Sequence, residues 1–205
     1  MDIAPFINKH PLILTDAGLE TDMIFNRGFE LPAFAAHTLL DCEEGRAALT
    51  DYYLGFIRLA EAEEAALLLD APTWRARRFF AGELGVEAST LKEANEDAIA
   101  FLRGLIRQRT SRATILVNAP IGPRGDAYAP EEWLSAIEYQ AYHSEQLGWL
   151  AEQSVDLVTA LTFTNSDEAL GITRAARTLK IPIAISFTVE INGRLPSGEH
   201  VNQAI

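Results

Sequence analysis

Short apolar runs punctuate the chain, and each gives way to a polar stretch and then to a segment with helical spacing. The runs are Leu12–Leu14, "AALLLDAPT" (Ala65–Thr73), "ATILVNAP" (Ala113–Pro120), "VDLVTALTFTN" (Val155–Asn165) and "IPIAISFT" (Ile181–Thr188). Runs this short, apolar on both faces, suit parallel strands covered by helices. Between them the spacing predicts a helix over Glu43–Glu63, with Leu49, Tyr52, Tyr53, Phe56, Ile57 and Ala60 on one stripe. A second helix is predicted over Ser89–Arg109, with Ser89 or Thr90 suited to cap it. A third, over Glu131–Gln153, follows Pro130, a residue that suits the first turn. The fourth, Asn165–Leu179, opens with Asn165 and Glu168 three apart, close to a capping box.

Strict β-α alternation argues for an α/β fold with right-handed crossovers. An open doubly wound sheet and a (β/α)8 barrel both satisfy it, although no GxGxxG follows the first run. The segment after Thr188, "VEINGRLPSGEH", holds Asn192-Gly193 and Ser197-Gly198 and reads as a long loop or small hairpin. No linker or repeat divides the chain, so residues 1–205 are expected to form one domain.

Parallel strands place all their carboxyl ends at one face, where α/β enzymes build their sites. The polar residues collect there: Asp16 and Glu20 after the first run, Asp70 and Thr73 after the second, Asn118 after the third. Thr162, Thr164 and Asn165 close the fourth, and Ser186, Thr188 and Glu190 the fifth. Asn165 sits where a helix cap belongs, whereas Asp16 and Asp70 end apolar runs without starting a helix, as pocket residues do. His143 lies within a helical segment and reads as structural, and His10, His37 and His200 have no metal-ligand spacing. Lys9, Lys92 and Lys180 all lie away from the polar ends, which argues against Schiff-base chemistry. "IGPRGDAY" lacks the GK[ST] ending of a phosphate loop and reads as a turn.

Composition narrows the partners. The net charge is −12, and phosphate backbones and anionic membrane surfaces both demand clustered cations, so small molecules are the expected partners. One cysteine, Cys42, leaves no internal disulfide and fits a reducing cytoplasm. Beside acidic neighbours it reads as inert. The opening segment lacks a basic stretch followed by an apolar core, so no signal peptide is expected. No apolar run approaches the ~18 residues of a membrane span.

Six segments, in order, resemble homocysteine S-methyltransferase-type proteins. "LTDAGLETDMI" resembles their first-strand motif, "PTWRA" the second and "NAPIGPRGDAY" the Gly-Pro loop after the third. "YHSEQ" resembles a helix motif, "VDLVTALTFTNSDEALG" the fourth strand and its helix, and "ISFTVEINGRLPSGE" the fifth-strand loop. The resemblance implies a (β/α)8 TIM-type barrel and methyl transfer to the sulfur of homocysteine, giving methionine, from a donor such as S-methylmethionine, S-adenosylmethionine, betaine or a methylated folate. It implies zinc, because a thiol is largely protonated at neutral pH and metal coordination makes it a thiolate. Carried over by motif, Asp16 would hold the substrate's amino group. Thr73, Asn118, Thr162 and Ser186 join it as expected substrate-binding residues; no catalytic residue is singled out.

The sequence departs from the family at three places. Ala17 replaces the first glycine of the opening motif, and Leu161 stands where a glutamate is usual. The family's three zinc-binding cysteines, from later strands, have no counterpart, and Cys42 matches none of them. A barrel typically needs ~250 residues, so five βα units are expected to form an incomplete one, either a fragment or a divergent remnant. Leu14, Leu68 and Val117 would line its inner face, and open sheet edges would favour homo-oligomers. Two other functions compete: a non-catalytic binding or assembly module, and a divalent-metal lyase or hydrolase using Asp16, Glu20 and Asp70.

Overall fold

The computed structural model describes residues 3–108, 113–127 and 132–205. Helix α1 (Ala4–Lys9) precedes β1 (Ile13–Thr15), and a short helix α2 (Leu19–Thr21) continues into a wide turn at Asp22–Asn26. Helix α3 (Glu43–Ala62), β2 (Ala66–Asp70), α4 (Ala81–Leu84), α5 (Ala88–Arg107) and β3 (Ile115–Ile121) follow. Then come α6 (Ala136–Glu152), β4 (Leu157–Phe163), α7 (Ser166–Leu179), β5 (Ile183–Phe187) and a final turn of helix, α8 (Val201–Ala204). The strands stand in sequence order, β1-β2-β3-β4-β5, in one five-stranded sheet, a half-barrel of the incomplete TIM type. All five predicted strands and the four predicted long helices are present, with boundaries shifted by a few residues. No described helix is long and apolar enough to cross a membrane. The chain divides into two compact units, with the boundary between Ala119 and Pro120.

In the first unit, β1 and β3 flank β2 in parallel register, with Ile13 opposite Ala66 and Leu68 opposite Leu116. Opposed residues share a face, and side chains alternate between faces. Ile13, Ala66, Leu68, Leu116, Asp70 and Asn118 therefore lie on one side, and Leu14, Leu67, Leu69 and Val117 on the other. This corrects the expected grouping of Leu14, Leu68 and Val117, because register parity separates Leu68 from the other two. Phe6 of α1, with Ile3, packs on Ala66, Leu116, Ile13 and Leu68 and covers the apolar part of the first side. Helix α3 buries Leu49, Tyr52, Tyr53, Ile57 and Ala60 along the predicted stripe.

Helix α5 starts at Ala88 after Glu87, and no side chain caps it, so Ser89 and Thr90 lie within the first turn instead of before it. The predicted end of this helix at Arg109 falls outside the described residues.

In the second unit, α6 begins at Ala136 because Ser135 and Glu138 form a reciprocal capping box, a motif already visible as Ser-x-x-Glu. The expected start at Pro130 and Glu131 lies outside the described residues. Asn165 caps α7 as its position suggested, accepting the Glu168 N–H at 2.8 Å. Helix α7 packs on α6 at Gly171, where an added Cβ would stand 2.6 Å from Tyr139 Cβ and 2.7 Å from the Ala136 carbonyl oxygen. Gly171→Ala must therefore push the two helices apart. We expect a loss of about 1–3 kcal/mol, read as a lower urea midpoint, and an unchanged midpoint would contradict this packing.

Strands β4 and β5 pair in parallel, with a bulge between Ala160 and Phe163. Beyond β5, Arg194 and His200 form an antiparallel bridge, so the expected hairpin is present.

Candidate functional site

The abrupt change in "LILTDAGLET" has a structural cause. Strand β1 ends at Thr15, and Gly18, at φ 66°, turns the backbone through the left-handed region into α2. Asp16 is left at the carboxyl end of β1, only 6% exposed. Its Oδ1 accepts the backbone N–H of Asp70 at 2.7 Å, which ties the end of β1 to the end of β2. Asp70 Oδ1 in turn accepts from Asn118 Nδ2 at 2.7 Å, which extends the chain of contacts to β3. Three of the residues picked out by strand position thus form one connected cluster.

Helix α3 supports the cluster from outside. The Tyr53 hydroxyl donates to the Asp70 carbonyl oxygen at 2.8 Å, and the Tyr52 hydroxyl donates to the Ala17 carbonyl oxygen at 2.9 Å. Both tyrosines were legible as core residues, but their hydroxyl roles were not.

Electrostatically the cluster is short of positive charge. Burial, reinforced by the neighbouring Asp70 charge, pushes Asp16 up to about 8, against the relief given by the Asp70 N–H and the Tyr52 hydroxyl. Burial also raises Asp70, to about 6, with Asn118 opposing. Glu20 is raised by burial too, and the Arg75 charge works against the shift. Burial therefore opposes ionisation of both aspartates, and the Asp70 charge adds to that opposition at Asp16.

Thr73 is fully buried in the turn after β2, its Oγ1 3.4 Å from the Ala71 carbonyl oxygen. The same turn carries arginines that strand-end logic overlooked. Arg75, 5% exposed, stacks 4.3 Å from the Trp74 ring and 4.2 Å from the Phe80 ring. Arg77 stacks 4.6 Å from Phe80 and donates to the Trp74 carbonyl oxygen. Arginines interleaved with aromatics in "TWRARRFF" are the signal that could have found them.

Thr162 and Ser186 belong to the second unit. Thr162 sits in the β4 bulge at φ 60°, a strained conformation for a β-branched residue, and its hydroxyl donates to the Leu161 carbonyl oxygen at 2.6 Å. Ser186 is exposed on β5.

This unit holds a polar cluster of its own, missed in the sequence. Glu168 Oε1 lies 2.8 Å from His143 Nε2, with both side chains at most 2% exposed. The same oxygen accepts the Arg124 backbone N–H, and Asn165 Nδ2 approaches Oε2 at 3.4 Å. Glu168 thus binds α6 and the Gly-Pro loop to α7, with His143 buried in the packing of the two helices. The Tyr128 end of that loop motif lies outside the described residues.

The residues present do not fit the implied zinc. The chain has one cysteine, and Cys42 is exposed and engaged in capping α3, its Sγ accepting the Gly45 N–H at 3.4 Å. Among the described residues no three His, Cys, Asp or Glu side chains converge to hold a metal. Asp16, Glu20 and Asp70 therefore do not form the divalent-cation cage that a metal lyase or hydrolase would use.

Comparison with known proteins gives a consistent picture. Three solved structures of the homocysteine methyltransferase MmuM from Escherichia coli share the fold. The metallated form is 19% identical, with a TM-score of 0.77, and the match covers 98% of this chain and 72% of that one. The oxidized form is 18% identical with a TM-score of 0.78, covering 98% and 70%. The apo form is 18% identical with a TM-score of 0.69, covering 98% and 68%. No curated protein sequence matches significantly. The family model for homocysteine S-methyltransferase matches residues 13–205, nearly the whole chain, and the chain belongs to that family.

Proposed function

We propose that this chain binds homocysteine and serves in transfer of a methyl group to its sulfur, giving methionine, in the cytoplasm. The observation that carries the reading is the buried carboxyl of Asp16, fixed by the Asp70 N–H at the carboxyl end of β1. A carboxylate held there can take an amino acid's ammonium group through charge-assisted hydrogen bonds. Thr73 and Asn118 supply further polar contacts, and in the second unit Thr162 and Ser186 are proposed as ligand-contacting residues in their own right. The strained backbone at Thr162 supports that assignment, since such strain gathers at ligand clamps.

Sulfur attack on the methyl donor requires a thiolate, and this chain contains no thiolate cage to generate one through zinc. Its residues bind and orient; no step of methyl transfer is assigned to them. A non-catalytic binding module is the second reading, and the solitary, capping Cys42 is the observation that favours it.

Calorimetry with homocysteine, followed by methionine assays with each candidate donor, tests the proposal. The expected result is saturable binding of homocysteine without turnover or stoichiometric zinc by this chain alone. Absence of binding would overturn the reading, and turnover with bound zinc would overturn the account of its metal chemistry.

The sheet ends at β1 and β5, and strand edges offer unpaired backbone groups to other chains. We expect light scattering to give a mass above that of a monomer. A monodisperse monomer would contradict this.

A further inference from the structure

We propose that a cavity in the first unit, separate from the strand ends, binds a small amino alcohol: an ammonium group, a hydroxyl and a short apolar chain. The cavity measures about 290 Å³ and lies between residues 32–41, the end of α4 and the first half of α5. Its walls come from these segments and the turn between the two helices, with no strand-end residue among them. That volume stands at the lower end of ligand pockets, which run from roughly 300 to 1,000 Å³, so the occupant is a small molecule.

His37 supplies the polar group inside. It lines the cavity and is only 7% exposed, and its Nδ1 is closed off from water with no hydrogen-bond partner among the described residues. Burial pushes the imidazole down to about 4, so it is neutral at pH 7. A neutral imidazole carries one ring proton. On Nδ1 that proton would be a sealed donor without an acceptor, so it belongs on Nε2, which is left as the ring atom that a ligand can meet. A hydroxyl oxygen can accept it.

The rest of the wall sets the charge and shape of the occupant. Asp41, Glu93 and Asp97 line the cavity as exposed acids, and no lysine or arginine lines it. Arg46 pairs with Asp97 at 3.1 Å, and Lys92, the neighbour of Glu93, pairs instead with Glu96 at 3.7 Å. Asp41 and Glu93 therefore remain to attract a cation, and they repel a ligand carboxylate. A neutral His37 adds no opposing charge. Leu40, Leu84, Val86 and Leu91 give the cavity an apolar side that suits a short hydrocarbon chain.

L-Leucinol carries all three features and is the probe. Calorimetry at pH 7 should show one saturable site. 4-Methylpentan-1-ol lacks the amino group and 3-methylbutan-1-amine lacks the hydroxymethyl group, and each should bind at least about threefold more weakly. L-Leucine, which puts a carboxylate beside the acids, should also bind more weakly. Excess homocysteine should leave leucinol affinity unchanged, because the two sites differ. His37→Phe keeps the bulk of the ring and removes the Nε2 proton. It should weaken leucinol binding up to about tenfold with an unchanged or higher urea midpoint, since it deletes unpaired buried polar atoms. Asp41→Asn combined with Glu93→Gln, both on the surface, should weaken it about three- to tenfold.

No saturable binding of leucinol at millimolar concentration would overturn the inference. So would binding that both variants leave unchanged, equal binding of the analogues without the amino or hydroxymethyl group, or displacement of leucinol by homocysteine.

Discussion

Replacing Glu168 with alanine should destabilise the protein by about 3 kcal/mol, because each buried hydrogen-bonding group left without its partner costs about 1–3 kcal/mol. The side chain is 2% exposed, and three groups depend on it: His143, the Arg124 N–H and the Asn165 amide. Without it, a buried imidazole and a buried backbone donor lose their partner, and water has no access to replace it. The Asn165 cap survives, because it uses the Glu168 backbone N–H. Glu168→Gln retains an acceptor and should cost less than half as much. Urea unfolding followed by circular dichroism measures both. A loss below about 1 kcal/mol for the alanine variant, within the range of ordinary surface substitutions, would contradict the role assigned to this cluster.

Asp16→Asn should act in two opposite directions. Homocysteine affinity should fall at least about 30-fold, because the ammonium group loses its charged partner. Stability above neutral pH should rise. The sign follows from the raised value of about 8 in the folded protein against an unfolded value of 3.8. Between those values the folded state binds more protons than the unfolded one. Asp16 therefore contributes stability that is complete below 3.8 and lost as pH rises through about 8. Asp70, raised to about 6, adds a loss that ends lower. The parent should thus weaken from pH 5 to pH 8, and Asp16→Asn, which cannot ionise but still accepts the Asp70 N–H, should flatten that decline. Weaker binding together with greater stability is the mark of a group kept for its ligand at the expense of the fold. A variant that binds normally, or one that loses stability at pH 8, would contradict this account.

Much of this was legible in the sequence, for identifiable reasons. The five strands showed because helices cover them, which demands unbroken apolar runs. The Asp16, Asp70 and Asn118 cluster showed because parallel pairing aligns carboxyl ends, so position within a run located each residue without any knowledge of contacts. Asn165 and the stripe on α3 are local features, fixed by three- and four-residue spacing. What stayed hidden depends on pairings that spacing cannot express. The faces of Leu14, Leu68 and Val117 depend on strand register, and a one-residue error reverses them. His143 and Glu168 lie 25 residues apart and meet only when α6 packs on α7. The stacking of Arg75 and Arg77 on aromatic rings depends on an irregular turn, where no periodicity operates. The left-handed backbone at Thr162 runs against the preference of a β-branched residue, so its sequence pointed to an ordinary strand.

The central claim is that this member of the homocysteine S-methyltransferase family holds an amino acid by its ammonium group at Asp16. A crystal structure of the chain grown with homocysteine tests it most directly. The account predicts the amino nitrogen within about 3 Å of an Asp16 carboxylate oxygen. Homocysteine bound elsewhere, or bound with its amino group away from Asp16, would contradict it.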